Sequence, residues 1–264
     1  MSRVRGYVLS ACVALALCGV SSGVASAQIV DLQPLLSLKK SDGFHLKLAG
    51  SLSWQTGNVD LFSTKGALVM FYQTGMHRLV SSSSGELGIK GGDEYLERLF
   101  THLRWQWSVS RLVTWETYTQ AASDRFRRLS LRVLAGTGPR FVIVPGPAVS
   151  FAVGLSYLFE HEALSTGSSF GDSGRSDFNH RLSLYYMGRF SVAPLITLAS
   201  TTYYQPRLDA FVDDWRISST LDLIVKLSEK LALKVGVSLY YDNEPPDDVK
   251  GLDTSTDVSV VFSL

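Results

Sequence analysis

Cysteine is almost absent from the 264-residue chain, and its two copies, Cys12 and Cys18, both fall within the first twenty residues. That rules out a disulfide framework for the rest of the chain and leaves no thiol there for nucleophilic or metal chemistry. Long apolar runs are also missing, except near the amino terminus. There Arg3 and Arg5 precede an apolar stretch from Tyr7 to Val20, and small residues end in Ala25-Ser26-Ala27. This is the layout of a secretory signal peptide over residues 1–27, with cleavage expected before Gln28. Losing Arg3 and Arg5 with it leaves 23 basic side chains against 24 acidic ones, without the basic excess that a nucleic-acid partner requires. The histidines His45, His77, His102, His161 and His180 show no metal-ligand spacing, and no cofactor motif is present. His102 and Ser108 share a strand face but lie about 20 Å apart along it, too far for a serine–histidine pair.

What the sequence does contain is alternation. Leu231, Leu233, Val235, Val237, Leu239 and Tyr241 are apolar at every second position, separated by Ala232, Lys234, Gly236, Ser238 and Tyr240. A period of two over this length means a strand with one apolar and one polar face. After a loop with two prolines the pattern returns in Val258, Val260, Phe262 and Leu264. Similar segments fill the chain from Gly43 onward, the serine-rich one at Met76 to Lys90 being the least marked. They suggest about twelve strands, most of them long enough to cross a bilayer when tilted. Residues 28–42 are expected to form a periplasmic lead-in or plug, and residues 43–264 an all-β, antiparallel transmembrane barrel of meander topology.

Two features favour lipid over a soluble core as the partner of the apolar face. Tight connections (Thr74-Gly75, Ser110-Arg111, Pro145-Gly146-Pro147, Ala193-Pro194, Ser228-Glu229-Lys230) alternate with long ones at residues 162–176, 206–214 and 242–253, as in bacterial outer-membrane barrels. On that topology, large aromatics collect at both strand ends, where membrane interfaces attract them. The inner set is Phe44, Trp105, Trp107, Trp115, Phe151, Phe190 and Phe262; the outer set is Trp54, Phe62, Tyr157, Tyr203, Trp215 and Tyr241.

The polar face then lines a lumen holding Arg104, Glu116, Arg132, Arg140, Arg189, Arg216, Asp222, Lys226, Lys234 and Asp257. A cationic wall of this kind can pass or bind anions. The same side chains can instead pair with one another and fill a narrow barrel. Gly136, Gly138, Gly154 and Gly236 are expected to make room for bulky lumen residues or to let the wall bend. The acidic loop at 242–253 could hold a hard cation but lacks the ordered spacing of a calcium loop.

Tyr241-Asp242-Asn243-Glu244-Pro245-Pro246, with Val249-Lys250 and Asp253-Thr254, resembles the carboxy-terminal signature of the salt-induced outer-membrane protein family, also known as domain-of-unknown-function family 481. Tyr204 to Asp209, Asp214 to Ser219, Gly50 to Asn58 and Leu134 to Arg140 resemble further segments of it. The resemblance implies an outer-membrane barrel, inserted by the barrel-assembly machinery among outer-membrane lipid and lipopolysaccharide. It brings no assigned activity or catalytic residues, and only its name suggests osmotic or salt adaptation. A structural or narrow-pore role in the bacterial outer membrane is therefore expected. The alternatives are a lipid-modifying or hydrolytic barrel enzyme and a soluble periplasmic β-protein with an apolar ligand.

Overall fold

The computed structural model describes residues 42–55, 61–90, 93–167 and 169–263. The expected signal peptide and nearly all of the lead-in lie outside them. Twelve strands follow in order: β1 (Gly43–Gln55), β2 (Leu61–Thr74), β3 (His77–Lys90), β4 (Asp93–Ser108), β5 (Val113–Asp124), β6 (Leu129–Pro145), β7 (Val149–Leu164), β8 (Ser176–Ala193), β9 (Ile196–Pro206), β10 (Trp215–Lys226), β11 (Leu231–Asp242) and β12 (Leu252–Ser263). Each pairs antiparallel with its neighbours in sequence, and β12 returns to β1, so the sheet closes on itself. The strands run from 11 to 18 residues, and a tilted strand needs only about 9–11 to span a bilayer. Several therefore project beyond the membrane on the side of the long loops, called the outer side below.

The alternation sorts residues as a barrel wall requires. Leu99, Leu103, Leu155, Leu221, Val237, Val258 and Val260 are all exposed on the outside. Their neighbours along the chain, such as Arg104, Ser156, Asp222, Ser238 and Ser259, are buried inside. A soluble β-protein would turn the first set inward, because a continuous apolar exterior is costly in water. The serine-rich segment forms all of β3, with Ser82 facing in and Ser83 sharing a hydroxyl contact of 3.1 Å with Thr101 on the outside. The inner turns are short; in the hairpin at 75–76, Gly75 takes a φ of +53°, which suits a glycine in a two-residue connection.

Three expectations about facing need correction. Alternation with Leu131 and Val133 predicts an outward Leu129, but a register shift between Leu129 and Leu131 turns it in, to 4% exposure. Tyr203 was placed in the outer girdle; it is buried in the lumen 5.2 Å from the Tyr185 ring, and Tyr204 holds the outward position. The lumen is also not uniformly polar. Val69, Phe71, Val80, Ile224 and Val261 form a buried apolar cluster with Ala49 and Ala232 on the β1–β3 and β10–β12 side.

The closing seam is short. β1 and β12 pair only from Lys47↔Ser263 to Gly50↔Val260, whereas β1 and β2 pair along their whole length. The chain beyond Cys18 contains no cysteine, so Ala49→Cys with Val261→Cys should form a single new disulfide on mild oxidation, because directly paired residues sit within disulfide reach. Electrophoresis of the unreduced, unfolded protein would show it as a faster band. Cross-linking of Ser51→Cys with Val261→Cys in preference would mean that the seam has another register.

Candidate functional site in the barrel lumen

In the outer half of the lumen, arginines and carboxylates form a buried lattice. Arg216 of β10 is its hub: its guanidinium donates to Glu160 at 3.0 and 3.1 Å, to Glu162 at 3.1 Å and to Asp242 at 2.9 Å. Arg132 of β6 donates to Glu162 at 2.6 Å and lies 3.6 Å from Glu160. Arg181 of β8 bridges Glu160 at 3.1 Å and Asp214 at 2.8 Å, and Arg207 also reaches Asp214 at 2.9 Å. Arg127, in the turn after β5, pairs with Asp253 and lies over the Tyr240 ring. Charges of the two signs balance across this lattice, as buried ions must. Glu160 and Glu162, which share a face as an acid–base pair would, serve here as counter-ions to three arginines.

The outer loops close over this lattice. Arg128 donates to Asp172 at 2.7 Å and to the Asp247 carbonyl at 2.7 Å, and the Asp247 amide donates to Asp172 at 2.9 Å. Desolvation works against ionisation of Asp172, but the Asp247 amide and the Arg128 guanidinium outweigh it and hold the carboxyl below its usual range. Between this lid and Arg127, Leu129, Arg132, Glu162 and Asp242 a cavity of about 10 Å³ remains, room for one water at most. Asp242 and Asp253 of the acidic stretch are taken up by arginines. Among the described residues no cluster of histidine and carboxylate side chains suits a metal ion.

Deeper in the barrel, Glu116 of β5 collects four donors: Arg104 at 3.2 Å, Arg140 at 3.1 Å, Gln106 at 2.7 Å and the Tyr185 hydroxyl at 2.6 Å. Two tyrosine rings lie flat against the wall here because the wall gives way to them. A Cβ at Gly136 would overlap the Tyr118 ring, and one at Gly154 would overlap the Tyr185 ring. Tyr118 then reaches Ser156 at 2.8 Å and stacks on Arg104 at 4.8 Å. Lys234 pairs with Asp222 at 3.2 Å and approaches Asp257 at 3.9 Å, where Lys65 also lies at 3.9 Å. Arg189 and Lys226 face inward in the inner half, with no carboxylate paired to them among the described ion pairs.

The aromatics on the outer surface divide as the two ends require. Trp105, Trp107, Trp115 and Phe262 are exposed outward near the inner end. At the outer end Trp215 packs between Tyr204 at 6.0 Å and Tyr241 at 5.0 Å. The side chain of Trp54 lies outside the described residues.

The sequence reading did not single out Arg78, Arg127, Asp214 or Asp242 as lumen groups. Asp242 could have been found, since it continues the inward series Lys234, Gly236, Ser238, Tyr240. Phe71 could also have been found, because Ala67 to Tyr72 is apolar on both faces. Arg127 and Asp214 lie outside the strands, where alternation carries no signal.

No curated protein matches the chain in sequence. Among solved structures, the NanC porin superposes with a TM-score of 0.52 at 10% identity, covering 84% of this chain and 100% of the porin. The COG4313 outer membrane channel from Pseudomonas putida F1 gives 0.52 at 13% identity, with 85% and 96% covered. At such identities the likeness is one of fold: these are outer-membrane barrels, and this chain shares their architecture. Residues 49–264 match the family described as "Protein of unknown function, DUF481", and the chain belongs to that family.

Proposed function

We propose that the protein is a bacterial outer-membrane barrel with a narrow ion path, shut in its outer half by the arginine–carboxylate lattice and open only to small ions when the lattice yields. The lattice is the observation that carries this reading: it ties strands together across the outer half of the lumen under a lid, and the cavity between Arg132, Glu162, Asp242 and the lid has room for one water at most. The apolar exterior and its aromatic ends suit insertion by the barrel-assembly machinery into outer-membrane lipid and lipopolysaccharide. Small anions should pass in preference, because the lumen's excess charge is positive in its inner half. A purely structural barrel is the second reading, favoured by the same dense filling. The hydrolase alternative gains no support from the buried glutamates among the described residues, since Glu116, Glu160 and Glu162 are all held by arginines. A link to osmotic or salt adaptation rests on the family resemblance, and growth of a deletion strain across salt concentrations tests it.

Planar-bilayer recording on the refolded barrel decides between the readings. The pore reading expects rare, small steps with an anion-favouring reversal potential, and no swelling of liposomes in sugar solutions. Large, permanently open steps would defeat the idea of a lattice-closed path. Silence in every salt, for wild type and for lattice variants alike, would leave the structural role.

A further inference from the structure

The inner half of the lumen carries charge without counter-charge. Lys47 of β1 is 5% exposed, and its ammonium group has no hydrogen-bond partner among the described residues. Arg78 of β3 shares the Phe71 ring with it and donates, among the described residues, only to the uncharged Gln73 at 2.7 Å, and Lys226 of β10 and Arg189 of β8 add further positive charge near enough to repel the ammonium. Arg140 faces Arg78 in turn, but it is tied to Glu116 at 3.1 Å. Among the described ion pairs none joins Lys47, Arg78, Arg189 or Lys226 to a carboxylate, and the Arg189 Nε is also buried without a partner.

The surroundings make this arrangement costly as it stands. Lys47 Nζ and the Arg78 guanidinium both lie over the Phe71 ring, at 6.0 and 5.8 Å, and His45 stacks on the same ring at 4.6 Å. Phe71 belongs to the apolar cluster with Val69, Val80, Ile224 and Val261. A cation ring against an apolar wall repels itself in a medium that screens poorly, and an unpaired buried ammonium is expensive. The outer half of the same lumen matches every arginine with a carboxylate, so the omission here is local rather than general.

We propose that Lys47, Arg78, Arg189 and Lys226 form a binding site for a small oxyanion of the phosphate or sulfate class. A tetrahedral oxyanion presents several acceptors to donors converging from different strands, and guanidinium forks and an ammonium point charge suit it. Arg78, Arg189 and Lys226 lie near the strand ends that meet the short inner connections, away from the lidded outer mouth. Binding does not require the barrel to conduct. A barrel silent in bilayers can still hold the anion, and a conducting barrel that holds none would retain the pore and lose this site.

Calorimetric titration of the full-length barrel in neutral detergent with inorganic phosphate, and separately with sulfate, tests the inference. Wild type should bind at least one of them saturably, with a rise in melting temperature. Lys47→Met and Arg189→Gln should each weaken binding tenfold or more. Arg175→Gln, which removes an exposed loop cation paired with Asp177 at 2.8 Å, should leave binding unchanged. Heat-modifiable migration on gels checks that each variant is folded. If Lys47→Met fails to fold, Lys226→Gln at the half-exposed rim of the cluster takes its place. Folded wild type that binds neither anion overturns the site. So does binding that survives the cluster variants, or that Arg175→Gln weakens equally.

Discussion

Arg216→Met should destabilise the barrel by about 3–5 kcal/mol and raise its conductance, the cost expected when one partner of a buried ion network is removed. The reason lies in what remains. Glu160 keeps Arg132 and Arg181, and Glu162 keeps Arg132, but Asp242 loses the only guanidinium among its described ion pairs. Asp242 would retain a 3.3 Å contact from the Tyr240 hydroxyl and the Glu244 amide at 3.1 Å, neither of which carries charge. Methionine approximates the length of the lost side chain, so the effect reports the lost charge more than a void. Arg216→Lys should recover only part of the stability, because one ammonium cannot fork between three carboxylates held by two strands, β7 and β11. Arg207→Met, at a half-exposed lattice edge, should cost much less, since Asp214 keeps Arg181 at 2.8 Å. Urea titration read by heat-modifiable migration gives the stability order, and bilayer recording of the same preparations gives conductance. An Arg216→Met barrel as stable as wild type and equally silent would remove the lattice from both roles.

Which faces of the chain meet lipid was legible because period-two alternation and loop length are local properties. Leu99 against His102, or Val237 against Ser238, needs no knowledge of distant strands. The lumen is different in kind. Arg127 and Asp253 pair across 126 positions of sequence, and Glu160 meets Arg216 across 56. Alternation puts each of these groups inside without saying which one faces it across the barrel. The choice between a cationic wall and a filled lumen therefore stayed open until strand order and register fixed the cross-lumen partners. Tyr203 and Leu129 show a second limit. A one-residue change of phase exchanges the two faces; Leu129 moves by a bulge, and the aromatic pair Tyr203-Tyr204 offers either phase a plausible girdle residue.

The phase also explains the glycines. Gly154→Ala should be destabilising, although alanine in a strand ordinarily gains about 0.5–1 kcal/mol over glycine. The added methyl would fall on the Tyr185 ring, well inside 3.0 Å. That ring cannot simply swing away. Its hydroxyl donates to Glu116 at 2.6 Å, its face packs on Tyr203 at 5.2 Å, and it is 6% exposed. Overpacking of a held side chain costs about 1–3 kcal/mol, which exceeds the backbone gain and fixes the sign. Larger residues should do worse, and Gly154→Val should impair assembly outright. The test is a double-mutant cycle. Tyr185→Ser alone should destabilise, through lost ring packing and a weaker hold on Glu116. Adding Gly154→Ala to that background should then be neutral or stabilising, because the ring that it struck is gone. Unfolding midpoints of the four proteins give the coupling. If Gly154→Ala costs the same with and without the tyrosine ring, the glycine serves the backbone of β7 rather than the seat of Tyr185.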